Sequence, residues 1–312
     1  MTTPFSKQRT LKQSVEISGT ALHSGRYVTA VLNPAPADTG IVFERVDVKG
    51  CNRLIPATID HAVQHSLCTR IENTDGVKVQ TIEHFMAAFH GLNIDNVHIE
   101  IDGSELPILD GSAMQITERL KSAGIQELDA DRNVMVVKQA IEFEDEHGVF
   151  MRLEPHDNLE INVAIEFNDP MIGTQQCRYT HGEDVFDAQL SHARTFCMLR
   201  DVERIRQSGM GQGGSLDNAV VIDNGKVLNP SGLRGKDEFV RHKTLDCFGD
   251  LYLLGMALKA KLTATRPGHA ASTSLLKLLI SRPECFEIHR GQQAGHPTPV
   301  WSLPAQAVAS PS

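Results

Sequence analysis

The chain has 312 residues, with 30 Lys and Arg against 39 Asp and Glu, a formal charge of −9. That length suits one large or two ordinary domains, and 41% hydrophobic with 22% charged residues excludes a disordered or collagen-like chain. The acidic balance argues against general nucleic-acid binding, but a local basic cluster can still hold a phosphate-bearing small molecule.

The first residues, MTTPFSKQRTLKQS, hold no apolar secretion core, and the longest nearly apolar run, Leu251 to Leu258, is far short of a membrane span. A soluble, cytoplasmic protein with no transmembrane segment is expected. Val28, Ala30 and Leu32 alternate as in a half-buried strand. Thr81 to His90 predicts a short helix closed by Gly91 as its C′ residue. Val97, Ile99 and Ile101 give another strand, and Ala113 to Ser122 a helix capped by the turn Asp110-Gly111-Ser112. Leu159, Ile161, Val163, Ile165 and Phe167 alternate most clearly of all. The longest predicted helix runs from Asp237 to Lys261, and a last one from Thr273 to Ser281 after a Pro-Gly loop.

Strands followed by helices, twice over, predict an α+β fold of two similar halves, each a β-sheet layered against helices. The polar stretch Glu127 to Asn133 reads as the linker between a first domain, 1–126, and a second, 134–294. Residues 295–312, rich in Pro, Ala and Ser, read as a flexible tail despite carrying the only tryptophan. The six cysteines contain no CxxC pair, so a zinc knuckle and a thioredoxin-like site are both excluded, and they read as reduced thiols.

One motif is a decoy. Gly209, Gly211 and Gly214 match the spacing of a dinucleotide fingerprint, but a helical stretch (Asp201 to Gln207) leads in and a strand (Ala219 to Ile222) leads out, the reverse of what pyrophosphate binding needs. No GxxxxGK[ST] loop, GxSxG elbow or HExxH helix occurs.

The strongest constellation is His242, Asp246 and Asp250, spaced i, i+4, i+8 on one face of a helix whose other faces carry Leu245, Phe248 and Leu251. Such a stripe is either an ordinary solvated face or a buried one that needs a partner, and a divalent metal on His242 and Asp246 supplies one. His84, at the start of the short helix, is a candidate third ligand that leaves the fourth position open for water. Zinc suits two nitrogens and a carboxylate, and ferrous iron accepts similar sets. Glu83 beside it is then placed as general base, against the plainer reading of a Glu that suits a helix dipole. His269, in Arg266-Pro-Gly-His, is placed on a loop between two helices, where Asp250 is a candidate to fix its tautomer and favour its charged form.

These motifs occur in one ordered set: Gly19-Thr-Ala-Leu-His-Ser-Gly25, Thr81-Ile-Glu-His84, Leu106-Pro-Ile-Leu-Asp-Gly-Ser112, Ala193-Arg-Thr-Phe196, Glu238-Phe-Val-Arg-His-Lys243 and Gly268-His-Ala270. The set resembles the UDP-3-O-acyl-N-acetylglucosamine deacetylase family, zinc amidases of lipid A biosynthesis in Gram-negative bacteria, nearly end to end. The resemblance implies zinc on His84, His242 and Asp246, Glu83 as general base, and His269 beside Asp250 as general acid. It implies Thr195 at the oxyanion, Phe196 at the sugar, Lys243 and Phe167 at the nucleotide-sugar, and Cys68 and Asp201 bordering the cleft.

It further implies an active site between two α+β domains, a small insert in each, and an apolar acyl passage formed with the second insert. The implied substrate is a UDP-linked acylated glucosamine, converted to UDP-3-O-acyl-glucosamine and acetate. Monomers are favoured, and in some relatives a regulatory protease acts on the C-terminal tail. The alternative is a related metal-dependent deacetylase of another N-acyl amino sugar. Arg234, Lys236, Arg241 and Lys243 form a local positive run able to meet a diphosphate, or simply a basic helix start.

Overall fold

The structure, a computed structural model, describes residues 6–182 and 184–291. The expected flexible tail, with Trp301, lies outside the described residues.

Alternating apolar residues build two large sheets. The first has five strands in the order 15–20, 27–34, 97–101, 41–45, 54–56, with only the 97–101/41–45 pair parallel. Val28, Ala30 and Leu32 face inward from the second of these, as their spacing predicts. The second sheet has seven strands. Ala257–Thr265 is its central member, antiparallel to Phe150–Glu154 and parallel to both Leu159–Glu166 and Val134–Val137. Two three-stranded sheets, one around residues 62–80 and one around 196–227, stand beside the large ones.

The helices are α1 (Glu83–Gly91), α2 (Met114–Ala123), α3 (Val185–Gln189), α4 (Leu199–Gln207), α5 (Glu238–Leu251) and α6 (His269–Ile280). α2 packs on the first sheet, α5 and α6 pack on the second, and α1 lies between α2 and α5. One apolar core therefore runs from Phe43 of the first sheet through Phe85 and Phe89 of α1 and Phe248 of α5 to Leu262 of the second. The α+β layering agrees with the sequence pattern.

Four local expectations change. Residues 127–131 of the polar stretch read as linker are strand, because Ile125–Asp131 pairs antiparallel with Lys7–Leu11. The long helix expected to reach Lys261 ends at Leu251. A 3₁₀ turn follows at Tyr252–Leu254, Gly255 adopts φ +70°, and the chain becomes strand. Its Ala-Leu-Lys-Ala-Lys-Leu-Thr-Ala-Thr alternates inward and outward with period two, a strand signal hidden behind an apolar helix end. His269 consequently follows a strand, not a helix, and is itself the first residue of α6. Gly91 is the last residue of α1 and not a left-handed cap. A Cβ there would lie 2.3 Å from the Phe186 ring, so close packing is what excludes a side chain.

Candidate active site

Every residue of α1 is buried, as is nearly all of α5, so polar side chains on these helices must find partners inside the protein. The chain enters α1 through Thr81, at φ +58°, a conformation costly for a β-branched residue. Its hydroxyl donates to the fully buried Glu105 carboxylate at 3.1 Å, which also accepts the His23 and Ser24 amides at 2.7 and 2.8 Å. This sharp turn delivers Glu83 and His84 to the face of α5.

There His84 meets His242 and Asp246. The two imidazole rings are 5.1 Å apart at 84°, and their Nε2 atoms lie 3.7 and 3.4 Å from one Asp246 oxygen, Oδ1. One ligand atom from each residue lies within 4.8 Å of the others, compatible with a shared ion at zinc-like bond lengths of about 2.0–2.2 Å. His242 Nδ1 donates to the Ala193 carbonyl at 3.1 Å, which leaves its Nε2 lone pair toward the cluster. Burial, reinforced by His242, pushes His84 down to about 3, so this imidazole is neutral.

Burial opposes the charge on Asp246, but the cationic Lys243 and His269 outweigh it and hold this carboxylate well below the usual range. Its Oδ1 nonetheless has no hydrogen-bond partner. An ionised, buried, unpartnered oxygen facing two neutral imidazole nitrogens fits a divalent cation. A second group, Glu44, His98 and Glu100, is only half-buried, and Arg53 already pairs with Glu44 at 2.6 Å.

Two more titratable groups flank the cluster. Glu83 is pushed up to about 7 by burial, with Asp246 adding to the shift and His269 opposing it. His269 also loses solvation on burial, but Asp250 and Glu83 outweigh that loss and raise it to about 9. His269 Nδ1 donates to Asp250 Oδ2 at 3.1 Å, and its Nε2 lies 3.9 Å from both Glu83 and Asp246. Sequence reasoning missed Thr69. Its amide donates to Glu83 Oε2 at 2.9 Å and its hydroxyl to Asp250 Oδ1 at 2.5 Å, so one residue orients both flanking carboxylates. Nothing local marks it, since it sits between strands, 14 residues before Glu83 and 181 before Asp250.

The remaining expected residues divide. Lys243 Nζ donates to Asp246 Oδ2 at 3.1 Å. Thr195 and Phe196 line a cavity of about 400 Å³ beside the cluster. Phe196 packs edge-on against His242, Phe167 and Phe239 at centroid distances of 6.3, 5.5 and 5.0 Å. Cys68 is fully buried next to Thr69, and its thiol is pushed up by burial. Asp201 lies on α4, paired with Arg204 at 2.8 Å. The basic run is partly committed inside the protein: Arg234 pairs with Asp110 at 2.7 Å and Arg241 with Asp237 at 2.8 Å. His181 lies among the His90, Phe248 and Tyr179 rings.

The cavity is walled by Leu22, Leu67, Val202, Ile205, Leu216 and Leu228, and so is mostly apolar, with Thr195, His23, Arg206 and Ser215 as its polar lining. Gly209 to Gly214 form a loop, of which Gly211 and Gly214 line the cavity. Gly213 carries no Cβ because one would lie 2.3 Å from the Ala21 carbonyl oxygen. This is a packing role, not a pyrophosphate turn.

Fold and site together define an α+β enzyme in which a buried carboxyl, Glu83, and a buried imidazole, His269, flank a residue cluster able to hold a metal ion. Residues 8–281 match the family model LpxC, UDP-3-O-acyl N-acetylglycosamine deacetylase. The chain is 44% identical over 288 residues to the UDP-3-O-acyl-N-acetylglucosamine deacetylase of Chromobacterium violaceum, covering 90% of this chain and 92% of that protein. It is 43% identical to the Anaeromyxobacter dehalogenans protein of the same name, over 91% of this chain and 90% of the relative. To the Shewanella pealeana protein, again so named, it is 40% identical over 96% and 98%. The chain belongs to the UDP-3-O-acyl N-acetylglycosamine deacetylase family.

Proposed function

We infer that this enzyme hydrolyses the acetamide of a UDP-3-O-acyl-N-acetylglucosamine, releasing acetate and the free 2-amine, a step of lipid A biosynthesis. The observation that carries this reading is the convergence of His84 from α1 with His242 and Asp246 from α5 around one orphaned carboxylate oxygen. These three residues hold the metal, with zinc the best match to two nitrogens and a carboxylate and ferrous iron a second candidate. When bound, the metal supplies a Lewis acid and a water acidified toward about pH 7.

The side chains around it divide the remaining work. Glu83, 3.9 Å from His269 and adjacent to a ligand, takes the water proton as general base. Thr195 stands at the cavity wall to face the developing oxyanion. His269, kept charged by Asp250, returns a proton to the departing amine, which is a poor leaving group as an anion. Lys243, Phe196 and Phe167 meet the sugar and nucleotide, Cys68 and Asp201 border the cleft, and the apolar cavity takes the acyl chain.

Residues 1–126 form the domain supplying Glu83 and His84, and 134–294 the one supplying His242, Asp246 and His269. Among the described residues no helix is long and apolar enough to cross a membrane, in keeping with action in the cytoplasm. A metal-dependent deacetylation assay tests the reading. The UDP-sugar carrying an acyl chain should be turned over, and simple N-acetylglucosamine far more slowly. Equal rates on both would transfer the activity to another N-acyl amino sugar.

A further inference from the structure

α1 and α5 cross unusually closely beside the ionisable cluster. A Cβ on Gly249 would stand 2.2 Å from the Glu83 carbonyl oxygen, 3.1 Å from its carbon and 3.0 Å from the Ala87 nitrogen. All three are backbone atoms of α1, so no side-chain rotation relieves the contact. Gly249 lies three residues after Asp246 and seven after His242, which puts it on the same stripe of α5.

The other end of α1 is fixed separately. His90 Nδ1 donates to the Phe248 carbonyl at 2.9 Å, and its ring stacks on Phe248 at 4.0 Å and 2° and on Tyr252 at 4.3 Å and 8°. Gly91, too close to Phe186 to carry a side chain, closes the same end.

We propose that Gly249 is a positioning residue of the metal site: its missing side chain sets how near α1 brings Glu83 and His84 to His242 and Asp246. With the His90 end clamped, a methyl group at position 249 can be accommodated only by tilting away the start of α1, where Glu83 and His84 sit. The displacement falls on the distance between His84 and its two partner ligands, and on the reach of Glu83 toward His269. The cavity that holds Phe196 and Leu228 is left alone, because it is walled by other elements. This inference rests on the metal reading above.

The test uses the full chain with Gly249→Ala, and His90→Phe as a second variant that keeps the ring stack but loses the hydrogen bond to Phe248. Zinc affinity is measured by competition with a chromophoric chelator, alongside kcat, KM and thermal unfolding of the metal-free protein. In Gly249→Ala the zinc dissociation constant should rise by about tenfold or more. Its kcat should fall by about 10²-fold, with KM within about twofold of the parent. His90→Phe should move zinc affinity and kcat in the same direction by less.

A folded Gly249→Ala protein with parental zinc affinity and kcat overturns the proposal. So does one that loses thermal stability alone. If Gly249→Ala does not fold, unchanged zinc affinity and kcat in His90→Phe overturn it. A parent protein that binds no stoichiometric zinc fails the metal reading itself, a result distinct from any of these.

Discussion

His269 Nε2 stands 3.9 Å from Glu83 Oε1, and the surroundings of these two groups raise both titrations, the carboxyl to about 7 and the imidazole to about 9. A carboxyl raised to about 7 and an imidazole raised to about 9 leave a window in which the first is ionised and the second charged. That is the protonation pattern a general base and a general acid require at the start of amide hydrolysis.

The pH–rate profile should therefore be a bell. As the proposed base Glu83 must be ionised, so the rate should fall as acid takes the pH below about 7. As the proposed acid His269 must be charged, so the rate should fall as base takes it above about 9. A bound divalent cation favours the carboxylate and disfavours the imidazolium, which moves both limbs to lower pH. The measurement is kcat/KM across pH 5 to 10, roughly the range bracketing both groups. A profile flat across that range would remove both residues from their roles.

Glu83→Gln should lose turnover by about 10²–10⁴-fold while retaining stoichiometric metal. His269→Gln should do the same and also abolish the basic limb of the bell. Metal content and steady-state rates on the purified variants check both, and a parental rate in either would reassign that proton transfer.

His242→Ala removes one of two neutral imidazoles facing the ionised Asp246. The variant should lose its metal on dialysis against chelator, and activity with it, whereas the parent should recover activity when zinc is restored. Elemental analysis reads the outcome directly.

Thr69→Val keeps the shape of the side chain and deletes the hydroxyl that donates to Asp250. Turnover should fall about tenfold or more, as for other groups that orient catalytic side chains, with metal content unchanged. Parental kcat would mean that Asp250 is held well enough by His269 alone.

Arg194 and Glu238 form a buried pair at the start of α5, with the guanidinium Nε 2.8 Å from the carboxylate. Arg194→Met leaves a buried carboxylate without its counter-charge, and should destabilise the protein by about 3–5 kcal/mol. Denaturant unfolding of the metal-free protein measures this, and a cost below about 1 kcal/mol would show that the backbone amides of residues 194 and 234, which donate to the Glu238 carboxylate, suffice.

The sequence alone determined the α+β layering, because period-two and period-3.6 burial are local properties of the chain. It also marked His242, Asp246 and Asp250 as one stripe, since helical spacing fixes which side chains share a face. It misjudged Ala257–Thr265, where a helix runs through an apolar turn into a strand, and only Gly255 and the alternation beyond it betray the change. Only the tertiary structure decided that His84 meets the stripe, that Thr69 ties Glu83 to Asp250, and that Gly249 lets α1 approach. Each of these depends on contact between segments more than 100 residues apart, and no local pattern encodes the packing that closes such a distance.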